Sequence, residues 1–311
     1  MPLEKPDYRF SGHETFPCRY AWLPKAYAAL TQNSHLFANE EEAMIELGVG
    51  KNMVKAIRLW VDATGVAVAG KAGRYTVTDF GKAIFSPRGF DPFLEDVRTL
   101  WLLHWQLSTN ARQPLFAWHF LLSQWQHPEI GREQVLEAFT KEAHRLGREL
   151  SRVTLEQHFD TFLHSYVPTR SRKGDVQEDN LDCPLVELEL IQKIGERTIQ
   201  LGGREAIYAF RREEKPDLPA ALFAYCVGDF WTKWHSSERT LAFRDISVAP
   251  GSPGQVFKLP ESDIRRRLEE IHTDSCGHFT YRESAALQQL SRSGDCDISL
   301  ARVYEQVTTN V

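Results

Sequence analysis

Apolar and polar positions recur with a helical period along most of the chain. In "KNMVKAIRLWVDA", residues placed about 100° apart put Met53, Ile57, Trp60 and Val61 on one face and Lys51, Lys55, Arg58 and Asp62 on the other. This predicts a helix over 51–63 with one face in a core and a mostly cationic strip outside. Just upstream, Asn39 suits an N-cap, Glu42 stands three residues on as in a capping box, and three acids crowd the first turn. These signals predict a helix over 39–47, joined to the next by Gly48-Val49-Gly50 as a helix-turn-helix, with Gly65 closing the second helix. The run "VAVAGKAGRYTVT" then predicts strands at 66–69 and 74–78 around a tip at Gly70-Lys71-Ala72-Gly73. A hairpin in that place is the wing of a winged-helix domain, and its tip carries Lys71 and Arg74.

Further along, "SPRGFDPFLED" (86–96) is rich in turn residues and marks a boundary. Apolar helices follow in "VRTLWLLHWQLST" and "PLFAWHFLLSQW", whose Trp101, Trp105, Trp118 and Trp125 are most simply core packing, with base stacking as the alternative. Two amphipathic helices come next. The second is capped by Thr154 and buries Leu155, Phe159, Phe162, Leu163 and Val167. A polar loop over 168–182 leads to two strand-like runs, "CPLVELELIQKI" and "REAIYAF". That order repeats the first unit and predicts a second winged-helix-like module near 93–212. In the last third, "LPAALFAYCVGDFWTKW" reads as a helix. A second helix, with Pro260 in its first turn, puts Ile264, Leu268 and Ile271 on one face, and "GHFTYRESAALQQL" reads as a strand entering a final helix. The fold expected is mainly α (α+β class), with tandem winged-helix-like modules around a Trp-rich helical middle. Its domains are 1–90 (DNA-binding winged helix), 91–215 (middle) and 216–311 (C-terminal).

The Gly-x-Gly-Lys at 48–51 raises a second reading, a phosphate-binding loop. That motif needs a glycine at position 45, which is Ile45, and a hydroxyl after the lysine, where Asn52 stands. The segment before it is helical rather than a strand, so the helix-turn-helix reading prevails.

Composition bounds the rest. At 311 residues and 42% hydrophobic content, the chain can bury a large core and divides into two or three domains. The net charge is −5, so a nucleic-acid surface has to be local. From Val49 to Arg88, Lys51, Lys55, Arg58, Lys71, Arg74, Lys82 and Arg88 face only Asp62 and Asp79. That excess suits phosphate contact, and the alternative is a protein-binding winged helix with a solvated basic face. Cys18, Cys183, Cys226, Cys276 and Cys296 are scattered, without a Cys-x-x-Cys pair, as expected of reduced thiols in a cytoplasm. No apolar run has the length of a membrane span, and "MPLEKPDYRF" lacks the apolar core of a signal peptide.

Candidate catalytic chemistry is thin. Metal-dependent nucleases hold Mg²⁺ with two or three carboxylates, often beside a lysine. Glu213-Glu214-Lys215 supplies Glu213 and Lys215, with Asp179, Asp182 or Glu187 upstream, although such triplets arise by chance in a chain that is 25% charged. The stretch "RFSGHETFPCRYAWLPKAY" gathers Arg9, His13, Glu14 and Arg19. His13 and Glu14 would hold a metal, Glu14 foremost, or perform acid–base work, with Arg9 or Arg19 on a phosphate. Alternatively, Glu14 and Arg19 form a structural ion pair. Arg265, Arg266 and Arg267 cannot share one helix face. Surface solvation is their bland meaning, and contact of Arg265 and Arg266 with a DNA backbone the sharp one.

Three stretches, "FSGHETFPCRYAWLPKAY", "LGVGKNMVKAIRLW" and "CPLVELELI" followed by "SPGQVFKLPESDI", closely resemble the SspB-like family. This is a bacterial domain of unknown function encoded beside cysteine desulfurase and phosphoadenosine-phosphosulfate-reductase-like genes for DNA phosphorothioation. The resemblance covers nearly the whole chain, and its first two motifs are long and specific. It implies a part in single-strand phosphorothioation, where sulfur replaces a non-bridging phosphate oxygen as an anti-phage tag. It also implies a DNA-nicking role. The implied partners are double-stranded DNA and other phosphorothioation proteins (cysteine desulfurase, a reductase-like sulfurtransferase and an ATPase), with no membrane. It transfers no catalytic residues. The expectation is therefore a nicking endonuclease, with Mg or Mn if it cuts and otherwise no cofactor, docked through Lys51, Asn52, Lys55, Arg58, Lys71 and Arg74. A non-catalytic recognition subunit and an assembly scaffold are the alternatives.

Overall fold

The computed structural model describes residues 7–168, 183–198, 203–284, 287–294 and 298–305. The expected polar loop at 168–182, with Asp179 and Asp182, and Cys296 lie almost wholly or wholly outside them. The chain divides into two compact units, 1–121 with 125–211, and 122–124 with 212–311.

The first unit opens with α1 (Trp22–Gln32), α2 (Glu40–Leu47) and α3 (Lys51–Ala63). An antiparallel hairpin follows, β1 (Ala67–Ala69) and β2 (Tyr75–Val77), and then α4 (Asp79–Phe85). Asn39 caps α2 as expected, its Oδ1 accepting from the N–H groups of Glu41 (3.1 Å) and Glu42 (3.4 Å). Gly48 adopts φ +66°, which ends α2 in the left-handed region and lets the chain enter α3 three residues later.

The Trp-rich section forms α5 (Val97–Ser108) and α6 (Phe116–His119, widening into a π-turn over Phe120–Gln124). Two longer helices follow, α7 (Arg132–Arg145) and α8 (Arg152–Tyr166). Trp101, Trp105, Trp118 and Trp125 are all buried, which answers the base-stacking alternative in favour of core packing. Ser151, not Thr154, caps α8, because its Oγ accepts the Thr154 N–H at 3.1 Å. The run "CPLVELELIQKI" is only half a strand. Pro184–Leu188 coil into a 3-10 turn that Glu189 ends at φ +45°, and β3 (Ile191–Thr198) then pairs antiparallel with β4 (Arg204–Phe210). Pro184 starts a helical turn readily, and the apolar alternation conceals it. A repeat of the winged-helix plan is not established by these elements.

The second unit holds α9 (Ala220–Trp234), β5 (Thr240–Ala242), α10 (Phe243–Val248), α11 (Pro253–Val256) and α12 (Glu261–Asp274). Then come β6 (Phe279–Ser284), β7 (Leu287–Arg292) and α13 (Leu300–Tyr304). The helix expected to end "GHFTYRESAALQQL" is instead β7, the centre of an antiparallel sheet ordered β5-β7-β6. Pro260 stands at the N-cap of α12 rather than inside its first turn, while Ile264, Leu268 and Ile271 are buried as predicted. Both units thus combine helices with small antiparallel sheets, an α+β arrangement. Among the described residues, no helix is long and apolar enough to cross a membrane.

Candidate nucleic-acid interface

Helix α3 has the predicted bounds and two unlike faces. Ile57, Trp60 and Val61 are buried, joined by Val54, Ala56 and Leu59, whereas Met53 is only half-buried. The inner face is wider than its period alone indicates because α1, α2 and β1 all pack on it. Trp60 anchors it. Its indole Nε1 donates to the Phe16 carbonyl at 3.0 Å, and its ring meets Trp118 edge-on at 5.6 Å. Gly12, at φ +101°, lies so close to α3 that a Cβ there would come within 2.8 Å of Leu59 Cδ1.

On the outer face Lys51, Asn52 and Arg58 are exposed and Lys55 is half-buried. Lys51 Nζ pairs with Glu40 Oε2 at 2.6 Å, and this hydrogen bond raises the Lys51 pKa and lowers that of Glu40. Asp62, predicted on the same face, is neutralised by Arg9, so Arg9 is engaged with a carboxylate rather than held for a phosphate. Phe37, Ala38, Glu40, Val54, Lys55 and Arg58 line a cleft between the start of α2 and α3. The hairpin is fastened beside it. The Tyr75 N–H donates to the Ser34 carbonyl at 2.7 Å, and its ring meets Phe37 edge-on at 5.1 Å. Burial raises the Tyr75 hydroxyl pKa, Asp62 adds to the rise, and Arg58 and Arg9 oppose it. At the tip Ala72 (φ +54°) and Gly73 (φ +72°) turn the chain, leaving Lys71 and Arg74 exposed. The first unit therefore presents a cationic helix face and a cationic hairpin tip, the groups that neutralise backbone phosphates.

The other candidates lie elsewhere. His13 is 3% exposed and stacks on His158. The Ala117 N–H donates to His158 Nε2 at 2.9 Å, so that nitrogen is an acceptor and the His158 proton sits on Nδ1. His158 Nδ1 lies 3.0 Å from His13 Nε2, while His13 Nδ1 accepts from the Thr15 N–H at 3.1 Å and lies 3.1 Å from Thr161 Oγ1, whose own proton goes to the Gln157 carbonyl (2.8 Å). The two imidazoles form a buried pair, and burial lowers the His13 pKa to about 4. Glu14 is half-buried at φ +50°. The Glu14–Arg19 ion pair offered as an alternative is not formed. The Arg19 guanidinium lies instead over the rings of Trp22 (5.4 Å) and Phe16 (5.9 Å). Glu187 accepts from the Tyr20 hydroxyl.

Glu213 and Lys215 belong to the second unit, with 3.8 Å between Lys215 Nζ and Glu213 Oε1. Lys215 is buried, and its carbonyl accepts from Arg267. On α12, Arg265 pairs with Glu283 and Glu261 and lies over the Phe243 ring at 4.7 Å. Arg266 pairs with Asp263 and Glu270. Arg267 is buried on Asp263 (2.9 Å) and the carbonyls of Leu218 (2.8 Å) and Lys215 (2.9 Å). Among the described residues, no three His, Cys, Asp or Glu side chains gather as a metal cage. Glu14 by itself is a single carboxylate and does not make such a cage. Sequence reasoning missed three contributors, Glu40, Tyr75 and His158. The acid triplet of α2 was the signal for the first, and nothing local points to the others.

A family model described as "Protein of unknown function (DUF4007)" matches residues 10–307. Among solved structures, a crystal structure of magnesium ion-bound SspB is similar at 26% identity and TM-score 0.80, covering 92% of this chain and 84% of that one. A second SspB crystal structure is similar at 25% identity and TM-score 0.79, with the same coverage. No curated protein sequence matches the chain.

Proposed function

The chain belongs to the DUF4007 family, and from that membership and the outer face of α3 we propose that it is a DNA-docking component of a phosphorothioation and anti-phage defence system. The observation that carries this reading is the pairing of faces on α3: Trp60 and Ile57 are locked in the core while Lys55 and Arg58 lie on the outer face, with Lys71 and Arg74 exposed at the hairpin tip. The elements from α1 to β2 then act as a winged helix. α3 approaches a groove of the duplex and the hairpin tip touches the backbone. The phosphorothioation setting comes from the SspB resemblance, and with it the cysteine desulfurase, reductase-like sulfurtransferase and ATPase as partners.

Fluorescence anisotropy with a short duplex tests the docking. Replacing Lys51, Lys55 and Arg58 by Ala together is expected to weaken binding at least tenfold and to make the salt dependence shallower by about two to three phosphates. Unchanged affinity removes the docking.

Nicking is the second reading, favoured by the magnesium ion in a similar structure. This chain would offer Glu14 or Glu213 as the carboxylate. Open circles from a supercoiled plasmid with Mg²⁺ or Mn²⁺, abolished by Glu14→Ala or Glu213→Ala, support it. Intact plasmid with DNA binding retained leaves a recognition subunit that recruits the sulfur-transfer proteins.

A further inference from the structure

We propose that Glu40 is a built-in competitor for the nucleic-acid phosphate, its carboxylate holding the cleft between α2 and α3 until a backbone phosphate displaces it. This rests on the docking reading above and adds its regulation. The cleft is lined by two cations, Lys55 and Arg58, and one carboxylate, Glu40. That carboxylate accepts from Lys51 at 2.6 Å, and Lys55 and Arg58 add to the lowering of its pKa. A carboxylate among three cations stands where a phosphate oxygen would stand. The contact reaches across the helix-turn-helix, from the first turn of α2 to the first turn of α3. Glu40 is not needed to start α2, since Asn39 supplies that cap. The carboxylate lowers affinity for any duplex and makes weak, non-productive contacts release sooner, because the phosphate that takes Lys51 has to break the Lys51–Glu40 pair first.

Glu40→Gln keeps the side-chain length and removes the charge. Measured by anisotropy with a short duplex across a salt series, it is expected to bind about three- to tenfold tighter at low salt. Its salt slope steepens by about one phosphate as Lys51 becomes available. Glu41→Gln removes the same charge one residue away and is expected to gain less than twofold. In a Lys51→Ala background the Glu40→Gln gain shrinks. The inference is overturned if Glu40→Gln gains no more than Glu41→Gln, or if its salt slope is that of the unaltered protein. Should Lys55→Ala and Arg58→Ala still weaken binding in that case, docking stands and only the competitor role fails. If neither matters, the docking reading fails with it. Far-ultraviolet circular dichroism of Glu40→Gln checks that α2 persists. If it does not, Glu40→Asp, which withdraws the carboxylate from Lys51 by one methylene, carries the same expected direction.

Discussion

Helix α3 spaces Lys51, Lys55 and Arg58 at three- and four-residue intervals, whereas α12 places Arg265, Arg266 and Arg267 in succession. By the density of its cation run alone α12 is the better phosphate binder, although it also carries Glu261, Asp263, Glu269, Glu270 and Asp274. Its neighbours reverse that ranking. Consecutive residues point about 100° apart, so only part of the run can face water. Arg267 turns into the core, Arg266 lies along Asp263 and Glu270, and Arg265 is held by Glu283 from β6 and by Glu261. On α3 the spacing keeps three cations on one face, and among the described ion pairs that face has a single acid partner, Glu40 on Lys51. Available charge is set by what packs against a helix, not by the density of cations along it.

The two helices are also held from behind by different chemistry, and the largest expected effect is there. Asp263 has no exposed side-chain surface and Arg267 only 5%, so Arg267→Met leaves a buried carboxylate with Arg266 as its one remaining cation. That change is expected to cost about 3–5 kcal/mol, read from urea unfolding, while DNA affinity of the folded fraction stays unchanged. A loss below 1 kcal/mol would show that α12 does not depend on its buried pair.

The support behind α3 responds to acid. His13 is held neutral with its pKa lowered to about 4 by burial, against 6.5 in the unfolded chain. Below pH 6.5 the unfolded chain gains a proton that the folded chain refuses. The stabilisation is therefore complete above pH 6.5 and lost as pH falls toward 4, amounting to about 3 kcal/mol. His158, lowered in the same direction by burial and by His13, adds to the trend. Urea midpoints between pH 7 and 4.5 check it, and His13→Gln should flatten the profile. A midpoint that does not fall over that range contradicts the neutral histidine pair.

Smaller effects sharpen the contrast. Asn39→Ala removes the cap of α2 and is expected to cost about 1 kcal/mol, with a modest loss of DNA affinity as the turn into α3 loosens. Paired Arg265→Ala and Arg266→Ala changes should alter stability by about 1 kcal/mol or less and leave the salt slope of DNA binding as it was. A clear fall in that slope would move the interface toward α12.

Much of α3 was legible because local signals agree. The 3.6-residue period, the glycines at 48, 50 and 65 and the hairpin turn all lie within about thirty residues, and the observed helix has the predicted bounds. What escaped depends on distant chain. His13 reads as an acid–base group until His158 arrives from 145 residues away. The triple arginine reads as a basic patch until Glu283 and the carbonyls of Lys215 and Leu218 close on it. In "CPLVELELIQKI" the alternation is that of a strand, but Pro184 and the left-handed Glu189 coil its first half. Periodicity reports which face is buried, and it cannot report what the outer face meets.

The most direct test places a photo-crosslinking residue at Asn52, exposed on α3 without removing a cation, and in parallel at Glu269, exposed on α12. Irradiation with a short duplex should join DNA to the protein altered at position 52 and leave the one altered at 269 unjoined. Crosslinking from 269, with none from 52, would contradict the account.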